Sequence, residues 1–169
     1  GIGIISLLLG ISLLAGVLSG SRDILQPLAK INITSTNGNN INKIRSIESQ
    51  HLPFQRVSSL AEFNKHINES QNKYVMLDFY ADWCISCKEM ERFTFTDPKV
   101  KNRLKDVVLL QVDVTEGTAE DEALLKHFKL FGPPGILFFD SHGREIYDAR
   151  TIGYQNKKEF LSILDAVLI

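Results

Sequence analysis

The sequence has few of the residues from which metal and nucleotide sites are usually built. Only two of its 169 residues are cysteine and four are histidine, and no histidine lies at ligand spacing from another. Because tetrahedral zinc needs four ligands, the two cysteines cannot form a zinc site, and we expect neither a metal nor a separate cofactor. No glycine-rich phosphate loop is present, and a net charge of −1 does not indicate nucleic-acid binding.

Charged residues are absent from residues 1–20, which are apolar on every side. About twenty such residues are what a helix needs to cross a bilayer. A signal peptide is the alternative, but its positively charged start and its initiator methionine are missing. We therefore expect residues 1–20 to be the end of a transmembrane helix whose earlier part lies upstream.

Residues 21–53 lack a sustained hydrophobic period and are rich in asparagine, serine, threonine and glycine, especially over residues 31–40. This composition is typical of a linker. Basic residues outnumber acids here, which by the positive-inside rule would place this flank in the cytoplasm. The rule compares the charges on both flanks of a helix, and residues 21–53 form only one of them, so the orientation stays open.

Residues 54–169 show the alternation of strand and helix patterns that is expected of one α/β domain. Strands are predicted at residues 54–57, 74–80, 107–114 and 136–140, with an antiparallel hairpin partner at 145–150. Helices are predicted at residues 59–70, from the cysteines through Phe93, from Thr96, and at 118–128 and 156–169. Ser59 and Glu62 have the spacing of a capping box. The order predicts a mixed central sheet with helices on both faces.

The two cysteines, Cys84 and Cys87, follow directly on the predicted strand 74–80. A helix that opens at Cys84 places this sulfur at a helix N-terminus, where unpaired N–H groups and the positive end of the dipole favour a thiolate. Cys87, one turn later, can close a disulfide with it. A purely structural disulfide is the alternative, but so short a loop removes little entropy from the unfolded chain. We predict a redox-active pair.

The element order, the W-C-x-x-C motif and the proline before the hairpin resemble thioredoxin. The similarity is greater still to the C-terminal thioredoxin-like domain of the DsbD family of thiol:disulfide interchange proteins. It is carried by residues 75–89, 94–98, 123–128 and 135–140, and it extends over roughly residues 55–169. The motif becomes more specific through Y-A-D before it and K-E-x-E after it.

The resemblance implies a protein-disulfide reductase of the bacterial inner membrane, with this domain in the periplasm. Electrons would come from a membrane-embedded domain of the same protein and pass to periplasmic partner oxidoreductase domains. An oxidoreductase of cytochrome c maturation, a disulfide oxidant and a binding module without redox function are the alternatives.

The resemblance also implies roles for individual residues. Cys84 would be the attacking thiolate, and Cys87 would resolve the mixed disulfide that results. Asp78 matches a buried acid that raises the pKa values of the thiols and can take the proton of Cys87. Glu91 shares a helical face with both cysteines and matches an acid near the pair. Solvated surface acids are the alternative for Asp78 and Glu91.

Three residues are expected to contact the partner. Trp83 lies beside Cys84 and would form a flat docking surface. Pro134 corresponds to the cis-proline that lies against the dithiol in thioredoxin-like folds. Pro133 and Gly135 depart from the more usual apolar residue and threonine around it, which leaves open which proline is cis.

Overall fold

The computed structural model describes residues 3, 51–70 and 72–168. The expected transmembrane segment, apart from Gly3, and almost all of the expected linker lie outside the described residues, so the division of the chain at residues 20 and 53 stays a prediction. Among the described helices, none combines the length and the apolar composition that a membrane crossing requires.

The described part of the chain forms a five-stranded sheet with helices on both faces. In chain order the elements are β1 (Gln55–Arg56), α1 (Leu60–Glu69), β2 (Val75–Tyr80), α2 (Ile85–Glu89), a π-helical turn (Met90–Thr94), α3 (Pro98–Leu104), β3 (Val108–Asp113), α4 (Ala119–His127), β4 (Gly135–Phe139), a 3-10 turn (Tyr147–Ala149), β5 (Thr151–Ile152) and α5 (Lys157–Val167). The strand order is β1-β3-β2-β4-β5. Strands β1, β2 and β3 are parallel to one another. Strand β4 pairs antiparallel with β2, and β5 pairs antiparallel with β4. The predicted mixed α/β sheet is confirmed.

The central strand β2 is buried on both faces, which explains its continuous apolar sequence. Successive side chains of a strand point to opposite faces. Phe79 therefore lies in one apolar cluster with Phe63 of α1 and Leu124 of α4, whereas Met76 lies in a second cluster with Phe160 of α5. The two clusters fix the sheet between two layers of helices and hold the end of β2 in place.

The sequence predicts a capping box at Ser59 and Glu62 and a further helix from Thr96, and the first of these predictions needs correction. The predicted helix from Thr96 begins as α3 at Pro98, and Asp97 caps it. Ser59 caps α1 by accepting the N–H of Glu62 at 3.2 Å. The Glu62 carboxylate, however, accepts the N–H and the hydroxyl of Ser58 at 2.8 and 2.9 Å. It therefore binds one residue earlier than a capping box requires, and the box is only half formed.

The helix that begins at the cysteines changes its winding before Phe93. It is α-helical over Ile85–Glu89 and π-helical over Met90–Thr94, where the N–H of Phe95 donates to the carbonyl of Met90 at 2.8 Å. The Thr94 hydroxyl donates to the Gln155 carbonyl at 2.8 Å. This long-range contact, which no local pattern reveals, holds the end of the π-helical turn.

The predicted hairpin strand at residues 145–150 is wrong. Glu145 forms an isolated bridge with Phe139, and the chain then enters the 3-10 turn Tyr147–Ala149. The strand that pairs with β4 is β5, which follows the predicted one.

A partly buried ion pair between Arg150 and Glu145 explains this difference. The Arg150 guanidinium donates to the Glu145 carboxylate at 2.6 and 2.9 Å and to the Phe128 carbonyl at 2.6 Å. The side chains are only 17% and 11% exposed, so both are largely withdrawn from water. Joining two side chains five residues apart favours a compact turn over an extended strand.

Candidate active site

A disulfide joins Cys84 and Cys87 at the start of α2. Cys84 is the N-cap residue, and its Sγ accepts the N–H of Cys87 at 3.2 Å. The predicted position of the pair, at a helix N-terminus directly after β2, is confirmed. When the pair is reduced, the unpaired N–H groups of this helix start favour negative charge on Cys84.

Asp78 lies inside the central strand, six residues before Cys84, and is 4% exposed. The expectation that it is buried is confirmed, and the alternative of a solvated strand-end acid is wrong. Burial raises the pKa of Asp78 to about 7, and the negative charge of Glu91 acts in the same direction. The Gln111 side chain opposes this rise, because its Nε2 donates to Oδ2 of Asp78 at 2.6 Å.

Glu91 lies on the π-helical turn, four residues after Cys87, and is half-buried. Partial burial raises its pKa, while the positive charge of Arg56 partly opposes the rise. Glu91 and Asp78 therefore form a pair of interacting acids. The role of Glu91 stays a prediction, but it is not a fully solvated surface residue.

Gln111 is a site residue that the sequence reasoning missed. It lies in β3 directly beside Asp78 in the strand register and is 3% exposed. Its side chain hydrogen-bonds Asp78 and also lowers the pKa of Glu91 through a hydrogen bond. A polar residue in the middle of the largely apolar run 107–114 is the signal that would have found it, because buried polar side chains need partners.

Replacing Gln111 by methionine is expected to raise the pKa of Asp78 above its value of about 7, since the carboxylate loses the donor that stabilises its charge. The pKa is measured by carbon NMR titration of the labelled carboxyl group. Leu109→Met in the same strand keeps Gln111 and serves as the matched control. An unchanged or lower pKa in the Gln111 variant contradicts this account.

The residues expected to bind the partner lie at the same end of the sheet as the disulfide. Trp83 is 62% exposed, and its indole N–H donates to the Thr115 carbonyl at 3.3 Å. Gly135 pairs with Phe79 at the end of β2, so the preceding Pro133-Pro134 loop lies beside the cysteines. The peptide bond between the two prolines is cis, which answers the open question in favour of Pro134.

Three exposed apolar side chains extend this surface and were not foreseen. Ile85 follows Cys84 directly, Phe131 precedes the proline loop, and Ile152 pairs with Gly135 across the sheet edge; they are 75%, 106% and 63% exposed, respectively. An apolar side chain on a loop gives no sequence signal of exposure, since only the fold decides whether it is covered. Large exposed apolar groups that lie together are typical of interaction sites.

Among the described residues, no three histidine, cysteine, aspartate or glutamate side chains are grouped as a metal site would need.

The chain is similar to known proteins of one family. The thioredoxin-like domain family matches residues 63–168. The thiol:disulfide interchange protein DsbD of Ralstonia nicotianae is 44% identical over 169 residues, which is 99% of this chain and 26% of that protein. DsbD of Actinobacillus pleuropneumoniae is 49% identical over 117 residues, 69% of this chain and 20% of that protein.

The chain thus spans about a quarter or less of the length of these curated relatives. Among solved structures, the oxidised C-terminal domain of Neisseria meningitidis DsbD aligns with a TM-score of 0.57 and 34% identity, covering 67% of this chain and 99% of that domain. This chain therefore belongs to the thioredoxin-like family, and within it to the C-terminal domains of the DsbD thiol:disulfide interchange proteins.

Proposed function

We propose that this domain is a protein-disulfide reductase that relays two electrons by thiol–disulfide exchange. Its electron donor is a membrane-embedded domain of the same protein, and its acceptors are periplasmic thiol–disulfide oxidoreductase domains. Residues 1–20 anchor it in the bacterial inner membrane, with the thioredoxin-like domain in the periplasm. The observation that carries the proposal is the Cys84–Cys87 disulfide at a helix start, which follows a strand that holds the buried acid Asp78.

The two acids favour a reductase over an oxidant. A strongly oxidising dithiol has a stabilised reduced form, usually because its thiolate is stabilised. Negative charge on Asp78 or Glu91 has the opposite effect, since it disfavours a neighbouring thiolate. The dithiol then gives up its electrons more readily, as a reductant must.

The proposed reaction proceeds in two balanced steps. The thiolate of Cys84 attacks one sulfur of the partner disulfide, so a mixed disulfide forms and the other partner sulfur leaves as a thiolate. Cys87 then loses its proton and attacks Sγ of Cys84, which breaks the mixed disulfide and releases the second partner thiolate. The partner gains two electrons as two thiolates, which take up one proton that Cys87 released and one from water, and this domain ends as the Cys84–Cys87 disulfide. The donor dithiol reverses that oxidation by the same chemistry.

The proline loop restricts how a partner can bind. Neither Pro133 nor Pro134 has an N–H to donate. The carbonyl of Pro134 already accepts the N–H of Gly153 at 3.0 Å. The loop therefore offers a partner little more than apolar contact and the Pro133 carbonyl, so the exposed side chains of Trp83 and Phe131 supply much of the contact area.

The reduction potential of the Cys84–Cys87 pair tests this proposal. The chain is equilibrated in glutathione buffers of known potential and followed by the fluorescence of Trp83, the one tryptophan of the sequence. We expect a value near that of thioredoxin, about −270 mV. A value close to −120 mV would instead indicate a disulfide oxidant. The Cys84→Ser chain is the control, and a wild-type chain without any redox transition would favour a binding module.

A further inference from the structure

The loop after β3 contacts the segment that leads into Cys84. Because β2 and β3 are parallel and Tyr80 is in register with Asp113, the loops that follow both strands emerge side by side. Thr115 is the residue where the two loops meet. Its Oγ1 accepts the N–H of Asp82 at 2.8 Å, and its carbonyl accepts the indole N–H of Trp83 at 3.3 Å.

Thr115 is itself held by Asp113. One Asp113 carboxylate oxygen accepts both the Thr115 hydroxyl and the Thr115 N–H. The hydroxyl therefore donates its single proton to Asp113 and accepts the N–H of Asp82 with a lone pair. This arrangement fixes both the direction of the hydroxyl and the position of the loop backbone.

Further contacts close these groups into a ring. Arg56 pairs with the second oxygen of Asp113 at 3.0 Å and lies over the ring of Tyr80 at 5.6 Å. The Tyr80 hydroxyl donates to Asp82 at 2.8 Å. The path Thr115–Asp113–Arg56–Tyr80–Asp82 returns to Thr115, so each member limits the movement of the next.

We propose that Thr115 is a positioning residue for partner docking: it holds the Asp82–Trp83 segment so that the indole of Trp83 stays oriented beside Cys84. The inference rests on the proposed function and extends it to a residue outside the cysteine motif. An exposed tryptophan that moves freely must be ordered when a partner binds, and this ordering weakens binding. Holding the indole beforehand removes that cost. None of these contacts involves a sulfur atom, so the exchange chemistry itself does not depend on them.

The test compares two variants of the full chain. Thr115→Val has nearly the same shape but lacks Oγ1, whereas Thr115→Ser keeps it. Reduced protein is assayed with insulin, a protein disulfide that must dock, and with 5,5′-dithiobis(2-nitrobenzoate), a small disulfide that need not. For Thr115→Val we expect the KM for insulin to rise roughly three- to tenfold, the scale of one hydrogen bond, with kcat and the small-disulfide rate unchanged.

Spectroscopy gives a second, independent measurement. The fluorescence anisotropy of Trp83 should fall in Thr115→Val and return to the wild-type value in Thr115→Ser. A serine variant as impaired as the valine variant overturns the proposal, and so does an unchanged KM or anisotropy in Thr115→Val. A parallel loss of the small-disulfide rate also overturns it, because Thr115 would then act on the cysteines.

Loss of stability in the variant and failure of the proposed function can both be separated from these outcomes. If Thr115→Val has a much lower melting temperature than the wild type, Thr115→Ala replaces it as the variant without Oγ1. If the wild-type chain reduces neither disulfide, the proposed function fails. The anisotropy comparison then still decides whether Thr115 holds Trp83.

Discussion

Replacing Cys84 by serine is expected to lower disulfide reduction by at least roughly a thousandfold, the scale on which loss of a nucleophile acts. A serine hydroxyl stays protonated at neutral pH and cannot form a disulfide, so the first step of the exchange is lost. The measurement is the initial rate of insulin reduction by prereduced protein. A rate within tenfold of the wild type would contradict the assignment of Cys84 as nucleophile.

Cys87→Ser separates the two roles and is the matched comparison. This variant keeps Cys84, so it should still attack a partner disulfide, but it lacks the thiol that resolves the intermediate. We expect a mixed disulfide through Cys84 that persists and is visible on a non-reducing gel. The double variant should show none. Because both cysteines are buried, at 6% and 4% exposure, the folding of each variant is compared with that of reduced wild-type protein.

Asp78→Asn is expected to make the oxidised domain more stable and its chemistry slower. The pKa of Asp78 is raised from 3.8 to about 7 in the folded protein, chiefly by burial. Between these values the folded state holds a proton that the unfolded state has lost, so stability falls as the pH rises from about 4 to about 7. Asparagine has no such charge. The variant should therefore gain up to about 4 kcal/mol over the wild type at pH 8, with little difference below pH 4.

Urea unfolding of the oxidised protein across this pH range measures the effect. Asp106→Asn, which changes an acid whose side chain is 84% exposed, controls for the loss of one negative charge. We expect that control to leave the stability almost unchanged at every pH. A stability difference between Asp78→Asn and the wild type that does not grow with pH would contradict the raised pKa.

The rate of mixed-disulfide resolution tests the catalytic side of the same substitution. If Asp78 takes the proton of Cys87, the wild-type rate should rise as Asp78 ionises near pH 7. The asparagine variant should lose this rise and react roughly a hundredfold more slowly, as is typical when a general base is removed. Stopped-flow measurement of partner release resolves the step. A variant with the wild-type rate and pH profile would exclude Asp78 as the proton acceptor.

Much of the architecture followed from local sequence patterns. The largely apolar runs predicted β2 and β3, and the helix predicted from Thr96 is α3. The cysteine pair could be placed at a helix start because the strand before it and the spacing within it are both local features. Patterns of this kind depend only on residues that are close together in the chain, so they can be recognised in the sequence.

Two of the failures involve contacts between distant parts of the chain. The hairpin partner at 145–150 was wrong because Arg150, besides pairing with Glu145, reaches the carbonyl of Phe128, 22 residues away. Gln111 was overlooked because its partner, Asp78, is 33 residues away in sequence, and only the strand register brings the two together.

Residue types and their local spacing were enough to predict the α/β class and a redox-active cysteine pair, because both features depend on neighbours in the chain. The roles of the individual site residues rest on the family resemblance and stay predictions. The folded structure was needed to show that Asp78 is buried against Gln111, that Pro134 is the cis-proline and that Thr115 contacts Trp83. Burial and long-range hydrogen bonds arise when separate segments pack together. The pKa of Asp78 and the form of the docking surface are therefore set by the fold.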